Sequence, residues 1–566
     1  MTAPNNPGRL VIALAQLNPT VGDIAGNVAL ARQARAEAAA AGADLLVLSE
    51  LFLVGYPPED LVLKPLFVAE AQAAAEQLAK DTVDGGPGIV IGLPWREAGG
   101  DMPMRRHVYN AVALLDEGEI KALRYKYDLP NYGVFDEKRV FKQGPLPGPI
   151  NFRGVRLGVP ICEDIWTEEV CECLEESGAE ILIVPNGSPY EMDKPDERMM
   201  HAVARVTETA LPMIYLNQVG GQDELVFDGS SFVLDSACEI RVQLPAFEPA
   251  IVSTVWTRGA DERWHCETGP ITAPDGGMEP VYRALMLGLR DYVNKNGFPG
   301  VILGLSGGID SALSAAIAVD SLGPDRVHCV MMPSPYTSQD SLDDAAEAAA
   351  LLGTSLDQVG IEPAMQAFQA MLQPIFNGRA PDTTEENIQA RSRGITLMAL
   401  SNKLGHMLLS TGNKSEMSVG YATLYGDMCG GYNVLKDVYK TTVYQLSRWR
   451  NQATPRGGLG PAGRVIPERI ITKAPSAELK PNQTDQDSLP PYDVLDDILT
   501  GLVEAELGVE DIVARGHDRA TVLRVWRMLD TAEYKRRQAA PGVKITSRAF
   551  GRGRRYPITN AFRGPV

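Results

Sequence analysis

The stretch VILGLSGGIDSALSAAIAV at 301–319 constrains the fold more than any other feature of the sequence. A short apolar run leads into the glycine pair Gly307 and Gly308, and an apolar run with helical spacing follows at once. A strand that turns sharply into a helix is the repeating unit of a parallel sheet, because crossing helices must join parallel strands. We therefore expect the second half of the chain to be an α/β domain with a doubly wound, Rossmann-like parallel sheet.

The first half also alternates strand-like and helical segments. The apolar runs LVIALAQL at 10–17 and LLVLSE at 45–50 flank an alanine-rich helical stretch that Gly42 ends. Further strand candidates lie at 88–94, 110–115, 155–162, 180–185, 213–218 and 231–235. This rhythm predicts a second α/β domain that contains many strands.

A segment rich in glycine and proline separates the two halves. The sequence GPITAPDGGMEP at 269–280 disfavours both helix and strand, and 566 residues are too many for one hydrophobic core. We predict one domain at 1–268, a linker at 269–280 and a second domain at 281–566. Another stretch rich in Pro, Gly and polar residues, at 451–492, is too long for an ordinary connection and is either a functional lid or disordered.

The charge and the cysteine content narrow the classes of partner. A formal net charge of −19 opposes a general polyanion-binding surface, so we expect no nucleic-acid partner and only local phosphate-binding cations. No apolar run approaches the ~20 residues of a membrane span, and the amino terminus lacks the basic segment of an export signal. Seven cysteines without a CxxC pair indicate reduced thiols. These features predict a cytoplasmic protein without a membrane partner.

Three strand-like runs in the first half end near a reactive side chain. The residues are Glu50 in LLVLSE, Lys126 in RYKYDLPNYG and Cys162 in GVPICED. Amide hydrolysis through a thioester needs a thiol nucleophile, a base that returns its proton to ammonia, and a cation near the oxyanion. These three types supply those roles, although a single cysteine after an apolar strand is more often a core residue.

The combination resembles the nitrilase superfamily, whose Glu-Lys-Cys triad matches these residues over about 9–260, and it implies an αββα sandwich. The segments KYDLPNYGVFDEKRVF, ICEDIW and NGSPYEMDK resemble the glutaminase domain of glutamine-dependent NAD synthetases. The resemblance implies that Tyr132, Ser188 and Lys194 hold glutamine and that Glu137, a second glutamate, orients the site. On the sequence alone, Glu137 and Lys194 could equally be solvated surface charges.

The string SGGIDS at 306–311 marks the junction of strand and helix in the second half. Free backbone N–H groups and the helix dipole bind phosphate at such a junction. The string lacks the GK[ST] ending of a Walker loop, so transfer of a phosphoryl group to leave ADP is not indicated. It resembles the pyrophosphate loop of the ATP-pyrophosphatase superfamily, which implies an adenylated intermediate, release of pyrophosphate and a magnesium ligand at Asp310. The implied ATP-binding residues are Gly304, Leu305, Ser306, Gly307, Gly308, Ile309, Asp310 and Ser311.

Three longer segments indicate the acceptor. The sequences at 386–394, 408–440 and 538–558 resemble glutamine-dependent NAD synthetases, which implies glutamine, ATP and deamido-NAD as substrates with Mg²⁺. Carried onto this chain, the resemblance assigns Thr411 to ATP, Asn387, Glu416 and Lys535 to deamido-NAD, Glu416 also to magnesium, and Asp427 and Lys440 to the surroundings of the phosphates. As alternatives, Thr411 and Glu416 could cap a helix and Lys440 could be a helix-face charge. The basic run 548–555 either adds to a positive cleft or is a solvated tail.

The expected reaction is the conversion of glutamine, deamido-NAD and ATP to NAD, glutamate, AMP and pyrophosphate. The segment 451–492 also resembles the loop beside the synthetase site of this family, and the resemblance implies a homo-oligomer, the octamer being one such assembly. Two alternatives stay open from the residues. One keeps the pyrophosphate loop with another acceptor, as in GMP synthetase or a tRNA-thiolating enzyme, and the other is a nitrilase-like scaffold that only senses ATP.

Overall fold

The computed structural model describes residues 8–97, 108–481 and 483–562. The chain divides into two compact units, one made of Met1–Gln222 and Val226–Asp275 and the other of Asp223–Leu225 and Gly276–Val566. The main division falls inside the segment 269–280 that we assigned to a linker. The domain bounds themselves stay a prediction.

The first unit is built around two large sheets and a separate two-stranded sheet. Its strands are β1 Arg9–Gln16, β2 Leu45–Val47, β3 Gly88–Arg96, β4 Val108–Asp116, β5 Glu119–Tyr125, β6 Ile150–Phe152, β7 Val155–Gly158, β8 Ile181–Asn186, β9 Met213–Asn217, β10 Val219–Gln222, β11 Leu225–Asp228, β12 Phe232–Leu234, β13 Ile240–Gln243, β14 Ala250–Arg258 and β15 Trp264–Cys266. The helices are α1 Ile24–Ala40, α2 Pro65–Lys80, α3 Glu137–Val140, α4 Glu169–Glu176 and α5 Lys194–Thr209. The strand orders of the large sheets are β15-β14-β1-β2-β3-β4-β5 and β13-β12-β9-β8-β7-β6, and β10 and β11 pair separately as the two-stranded sheet.

Alternation along the strands explains how four layers form. On β8, Ile181 and Ile183 belong to the core that both sheets share, whereas Leu182 and Val184 belong to the core beneath α4 and α5. Successive side chains of a strand point to opposite faces, so a strand that is apolar throughout can be covered on both faces. Helices α1 and α2 contact the other sheet. The predicted αββα sandwich is confirmed.

The second unit contains one fully parallel sheet. Its strands are β16 Val301–Gly304, β17 Val327–Met331, β18 Ser355–Gln358, β19 Met407–Ser410 and β20 Tyr432–Asn433, in the order β18-β17-β16-β19-β20. The helices are α6 Glu279–Lys295, α7 Ile309–Leu322, α8 Gln339–Leu352, α9 Glu362–Phe376, α10 Thr383–Leu404, α11 Lys414–Val419, α12 Lys440–Gln452, α13 Glu468–Thr472, α14 Tyr492–Val503, α15 Val509–Ala514, α16 Arg519–Thr531 and α17 Glu533–Arg536.

The strand order places a switch point at the first strand. The chain leaves β16 on one side toward β17 and later returns to pair β19 on the other side. Ligands bind at the carboxyl ends of the strands at such a point. The predicted doubly wound sheet is confirmed, and its crevice begins where SGGIDS follows β16.

The segment 451–492 is packed against the second unit. Its residues Val465, Ile466, Ile470 and Ile471 are buried, and the short helix α13 lies within it. The described residues of this segment are ordered, which excludes the disordered alternative. Among the described residues, none of the helices has the length and apolar character needed to cross a membrane.

Two candidate active sites

The triad residues of the first unit follow the ends of strands in both sheets. Glu50 lies just beyond β2, Lys126 directly follows β5, and Cys162 lies shortly after β7. The Lys126 ammonium is 2.7 Å from a Glu50 carboxylate oxygen and 3.0 Å from Glu137. All four side chains are buried. The structure therefore brings the three triad residues together, although Glu50 and Cys162 lie 112 positions apart in the sequence. It also places Glu137 beside them.

Hydrogen bonds fix the two carboxylates. The Asn110 amide donates to one Glu50 oxygen at 2.7 Å, and the backbone N–H of Gly187 donates to the other at 2.9 Å. The Tyr56 hydroxyl donates to Glu137 at 2.8 Å. Glu50 is thereby held in one orientation, as a positioned base must be. The sequence analysis did not assign Asn110 or Tyr56 to the site, because neither belongs to a motif segment that carries a triad residue.

Cys162 occupies a strained turn at the start of a 3₁₀ helix, Cys162–Ile165, with φ at +50°. Residues other than glycine rarely adopt this left-handed conformation, and it is concentrated at functional sites. Burial raises the pKa of the Cys162 thiol well above its usual value; Glu50 adds to this shift and Lys126 opposes it. The resting nucleophile is therefore a neutral thiol that needs a base.

Asp164 ties the nucleophile turn to the residues after Lys126. Its carboxylate accepts backbone hydrogen bonds from Tyr127 at 3.0 Å, Asp128 at 2.7 Å and Ile161 at 2.8 Å. Burial raises the pKa of Asp164 to about 7. The sequence shows an aspartate two positions after the cysteine, but only the structure shows that it is buried and joins these two segments.

The lysine between the carboxylates stays charged. Burial disfavours the ammonium of Lys126, but Glu137 and Glu50 outweigh it and raise the pKa well above the usual value. Burial raises the pKa of Glu137 to about 7, and Lys126 opposes that shift. A fixed positive charge next to the thiol suits the stabilisation of an oxyanion.

The predicted glutamine-binding residues differ in their surroundings. Tyr132 is 48% exposed, and its hydroxyl donates to Glu163 at 2.8 Å. The Lys194 ammonium lies 4.0 Å from the centroid of the Trp166 ring. The Ser188 backbone N–H donates to the Asn217 side chain at 2.9 Å. Lys194 is thus a buried cation beside an aromatic face and not the solvated charge of the alternative interpretation.

The phosphate-loop candidate of the second unit lies between β16 and α7. Gly307 has φ at +78°, and a Cβ on it would lie 2.3 Å from the Ser341 carbonyl oxygen, so only glycine fits there. Gly308 is the extended residue before α7, and its carbonyl accepts a hydrogen bond from the Ser311 hydroxyl at 2.9 Å. Backbone N–H groups at the start of a helix are thereby presented beside the switch point.

Asp310, Glu416 and Lys440 come together beside this loop. The Lys440 ammonium contacts Asp310 directly and lies 3.1 Å from Glu416. The Asn413 amide donates to the other Asp310 oxygen at 2.8 Å. Burial raises the pKa of Glu416 to about 7, against the effect of Lys440. Lys440 is therefore no exposed helix-face charge.

The donor chemistry at this cluster fits Mg²⁺. Carboxylate oxygens are its preferred protein ligands, and two of them with substrate phosphates are enough. Asp310 and Glu416 already enclose one cation, the Lys440 ammonium. Across the described residues there is no group of three or more His, Cys, Asp or Glu side chains arranged to hold a metal ion. The remaining ligands would therefore come from the nucleotide and from water.

Two residues predicted to contact deamido-NAD, Asn387 and Lys535, surround one loop together with Asp427, which is predicted to lie near the phosphates. Asn387 accepts a hydrogen bond from the Thr423 hydroxyl at 3.0 Å, and Asp427 accepts one from the Thr423 backbone at 2.7 Å. The Lys535 ammonium donates to the carbonyls of Gly420 at 2.7 Å and Ala422 at 2.6 Å. Burial raises the pKa of Asp427 to about 6. These residues form a polar wall around 420–427.

Two alternatives for single residues are resolved by local contacts. The side chain that caps α11 is Asn413, which accepts from the Glu416 backbone at 3.0 Å, so the capping role considered for Thr411 is wrong. In the basic run 548–555, Arg554 is buried and pairs with Glu533 at 3.5 Å. This part of the run is not a solvated tail.

A triad-bearing αββα sandwich and a parallel sheet with a phosphate loop, joined in one chain, define the class of two-domain, glutamine-using amidotransferases. The chain matches the carbon-nitrogen hydrolase family over residues 11–258 and the NAD synthase family over residues 281–539.

Full-length relatives specify the family. The chain is 54% identical to the glutamine-dependent NAD(+) synthetase of Rhodobacter capsulatus, with 98% of this chain and 99% of that protein covered. It is 44% identical to the enzyme of the same name from Thermotoga maritima, with 99% and 100% covered. The solved structure of glutamine-dependent NAD+ synthetase from Acinetobacter baumannii in complex with ADP matches at 43% identity and a TM-score of 0.77, with 98% and 99% covered. The chain belongs to the glutamine-dependent NAD(+) synthetases.

Proposed function

We propose that the first site releases ammonia from glutamine through a thioester on Cys162 and that the second site uses this ammonia to amidate adenylated deamido-NAD. The products are NAD, glutamate, AMP and pyrophosphate. The observation that carries the proposal is the presence in one chain of a buried Glu50–Lys126–Cys162 cluster and a glycine loop beside the Asp310–Glu416 pair. This pairing disfavours the ATP-sensing scaffold, which needs no intact synthetase site.

In the glutaminase step, the sulfur of Cys162 attacks the side-chain amide carbon of glutamine. Glu50 takes the thiol proton and passes it to the departing nitrogen, which leaves as ammonia. Lys126 balances the negative charge on the oxygen of the tetrahedral intermediate. Water, activated by the same glutamate, then hydrolyses the thioester and frees glutamate.

The substrate glutamine is held by Tyr132, Ser188 and Lys194 in this proposal. Lys194 carries the charge that complements an α-carboxylate, and its stacking on Trp166 keeps the ammonium in place. Tyr132 is exposed enough to move over the entrance. Glu137 keeps Lys126 charged and does not itself contact the reacting atoms.

In the synthetase step, Gly304–Ser311 and Thr411 bind ATP, with backbone N–H groups and the first turn of α7 aligned on the phosphates. Asp310 and Glu416 would hold Mg²⁺, which when bound neutralises phosphate charge. Asn387, Glu416 and Lys535 orient deamido-NAD, and Asp427 and Lys440 lie near the phosphates. The nicotinate carboxylate attacks the α-phosphorus and expels pyrophosphate. Ammonia then displaces AMP from the acyl-adenylate.

Replacement of the nucleophile Cys162 tests whether glutamine hydrolysis and amidation occur at separate sites. Cys162→Ala should abolish NAD synthesis with glutamine and leave synthesis with ammonium within about twofold of wild type, because the nucleophile acts only in the glutaminase step. NAD formed from deamido-NAD and ATP is measured with each nitrogen donor. Equal loss with both donors in a folded variant would contradict two separable sites, and no ATP-dependent pyrophosphate release with deamido-NAD would favour the scaffold.

We also propose that the enzyme acts in the cytosol as a homo-oligomer. All seven cysteines are free, in keeping with a reducing compartment. Helix α9 has no buried residue, and with α10 it exposes Phe368, Met371, Ile375, Ile395 and Met398. An exposed apolar surface of this kind is common at subunit contacts. Light scattering of the purified chain would give the number of subunits.

A further inference from the structure

Asp485 is a buried acid that the reaction described above does not use. It lies in the segment 451–492 and is only 4% exposed. One carboxylate oxygen, Oδ2, accepts a hydrogen bond from the Tyr492 hydroxyl at 2.8 Å. The other, Oδ1, is buried and accepts no hydrogen bond of normal geometry within the described part of the chain, although the Tyr421 hydroxyl lies near the carboxylate and lowers its pKa. Leaving a buried carboxylate oxygen without a donor is costly, so such an atom calls for an explanation.

The surroundings of Asp485 connect it to the cation site. The Lys440 ammonium lies 5.2 Å from the ring centroid of Tyr492, the same residue that donates to Asp485. Burial raises the pKa of Asp485, Lys440 opposes that shift, and Asp310 adds to it. When all are ionised, three carboxylates therefore share one ammonium. Two negative charges are left uncompensated, which is the charge that one divalent cation would neutralise.

We propose that Asp485 is a positioning residue that fastens the segment 473–487 to Lys440 when a divalent cation occupies Asp310 and Glu416. In the described structure Lys440 pairs with those two carboxylates. A divalent cation takes both partners from Lys440, and Asp485 Oδ1 is a buried acceptor that still lacks a donor. The new pair joins α12 to the segment. This inference rests on the proposed function, because it assumes a cation at that pair of residues.

Contacts within the segment 473–487 link Asp485 to the phosphate loop. The Asp485 backbone N–H donates to the Pro475 carbonyl at 3.1 Å. A few residues on, Glu478 accepts hydrogen bonds from the hydroxyls of Ser338 at 2.7 Å and Ser341 at 2.9 Å. Ser341 is the residue whose carbonyl faces Gly307. Holding Asp485 therefore holds a strip of chain beside the bound phosphates, where it can exclude water from an adenylate.

Amide hydrogen exchange of the full-length chain tests the inference. Exchange in peptides that cover 473–489 is compared with α,β-methylene-ATP in the presence of either Mg²⁺ or EDTA. In the wild type, Mg²⁺ should slow this exchange roughly tenfold or more, the range that a charge-assisted hydrogen bond supplies. Asp485→Asn should lose most of this Mg²⁺-dependent slowing, and Asp485→Glu should recover part of it. Asp493→Asn, at an exposed position at the start of α14 beside the segment, should behave as wild type.

The outcomes separate the inference from the function on which it rests. Equal Mg²⁺-dependent slowing in wild type and Asp485→Asn, or no slowing in wild type, would overturn the role of Asp485. If Asp485→Asn does not fold, Tyr492→Phe takes its place. That variant keeps the ring and removes the hydroxyl, and should change the slowing by a few-fold; an unchanged value overturns the role. Synthesis of NAD by the wild type from deamido-NAD, ATP and ammonium is measured separately, and its absence would overturn the proposed function instead.

Discussion

Two buried lysines, one in each unit, have nearly the same surroundings, but their proposed roles differ. Lys126 lies 2.7 Å from Glu50 and 3.0 Å from Glu137. Lys440 contacts Asp310 and lies 3.1 Å from Glu416. In both places, two carboxylates keep an ammonium charged where burial alone would discharge it. The charge pattern by itself therefore does not identify the chemistry.

What differs is the access to each cluster. The Glu50 side chain is fully buried and that of Glu137 is 6% exposed, and Asn110 and Gly187 hold the Glu50 oxygens. The Asp310 and Glu416 side chains are each 17% exposed and stand beside a helix start that can accept phosphate. The cluster around Lys126, the closed site, keeps its ammonium for an oxyanion. The cluster around Lys440, the open site, can exchange its ammonium for another cation.

The largest effect should come from removing the closed lysine. Lys126→Met should lower the rate of glutamine hydrolysis by about 10³-fold, because the oxyanion loses its cation and two buried carboxylates lose their partner. NAD synthesis with ammonium should stay near the wild-type rate. Steady-state rates with the two donors are the measurement, and Lys121→Met, on the same strand β5, is the control. A similar loss with ammonium would mean that the two lysines serve one common step.

Replacing Lys440, the lysine of the open site, should affect the rate of NAD synthesis and the stability of the protein. Lys440→Met should lower NAD synthesis with either donor by about 10²-fold and spare ammonia release from glutamine. Without Mg²⁺, the variant should also be less stable by about 3 kcal/mol, since two partly buried carboxylates lose their counter-ion. Mg²⁺ should then raise the thermal midpoint of the variant more than that of wild type. Scanning calorimetry with and without Mg²⁺ measures this, with Lys403→Met on the exposed end of α10 as control. Equal Mg²⁺ effects would show that Lys440 does not stand in for a cation.

The second carboxylate of the closed site should affect mainly the pH dependence of stability. Burial raises the pKa of Glu137 to about 7, well above its usual value in an unfolded chain. Such an acid contributes stability below its unfolded pKa, and this contribution is lost as the pH rises through about 7. Because Gln resembles the protonated acid, the free energy of unfolding of wild type should fall relative to Glu137→Gln by roughly 3 kcal/mol between about pH 4 and pH 8.

Urea unfolding of both proteins at about pH 4 and about pH 8 measures this difference. Glu172→Gln, at an exposed position on α4, should show no such pH dependence relative to wild type. A constant difference between wild type and Glu137→Gln would mean that Glu137 stays ionised throughout, as Lys126 favours. Glutamine hydrolysis by Glu137→Gln should nevertheless slow, because Lys126 loses one of the charges that hold it.

The sequence was sufficient for the architecture and for the residues at strand ends. Runs such as LLVLSE and VILGLS carry their strand signal locally, and the residue that ends a run is found by reading forward. The parallel sheet could therefore be predicted from these runs, whereas the αββα sandwich and the family were implied by the resemblance of longer motif segments. The positions Glu50, Lys126 and Cys162, and the loop Gly307–Asp310, could also be chosen before any contact was visible.

Only the tertiary structure decided which side chains support these residues. Asn110 reaches Glu50 across 60 positions, and Lys440 meets Asp310 across 130. Asp485 lies near Lys440 because α14 supplies Tyr492 between them. No local pattern records such contacts, because they depend on how whole elements pack and on which polar atoms remain unpaired once water has been excluded. The sequence determines which groups can react, whereas the packing decides which charges surround each group, and thereby whether a buried lysine is held in place or exchanged.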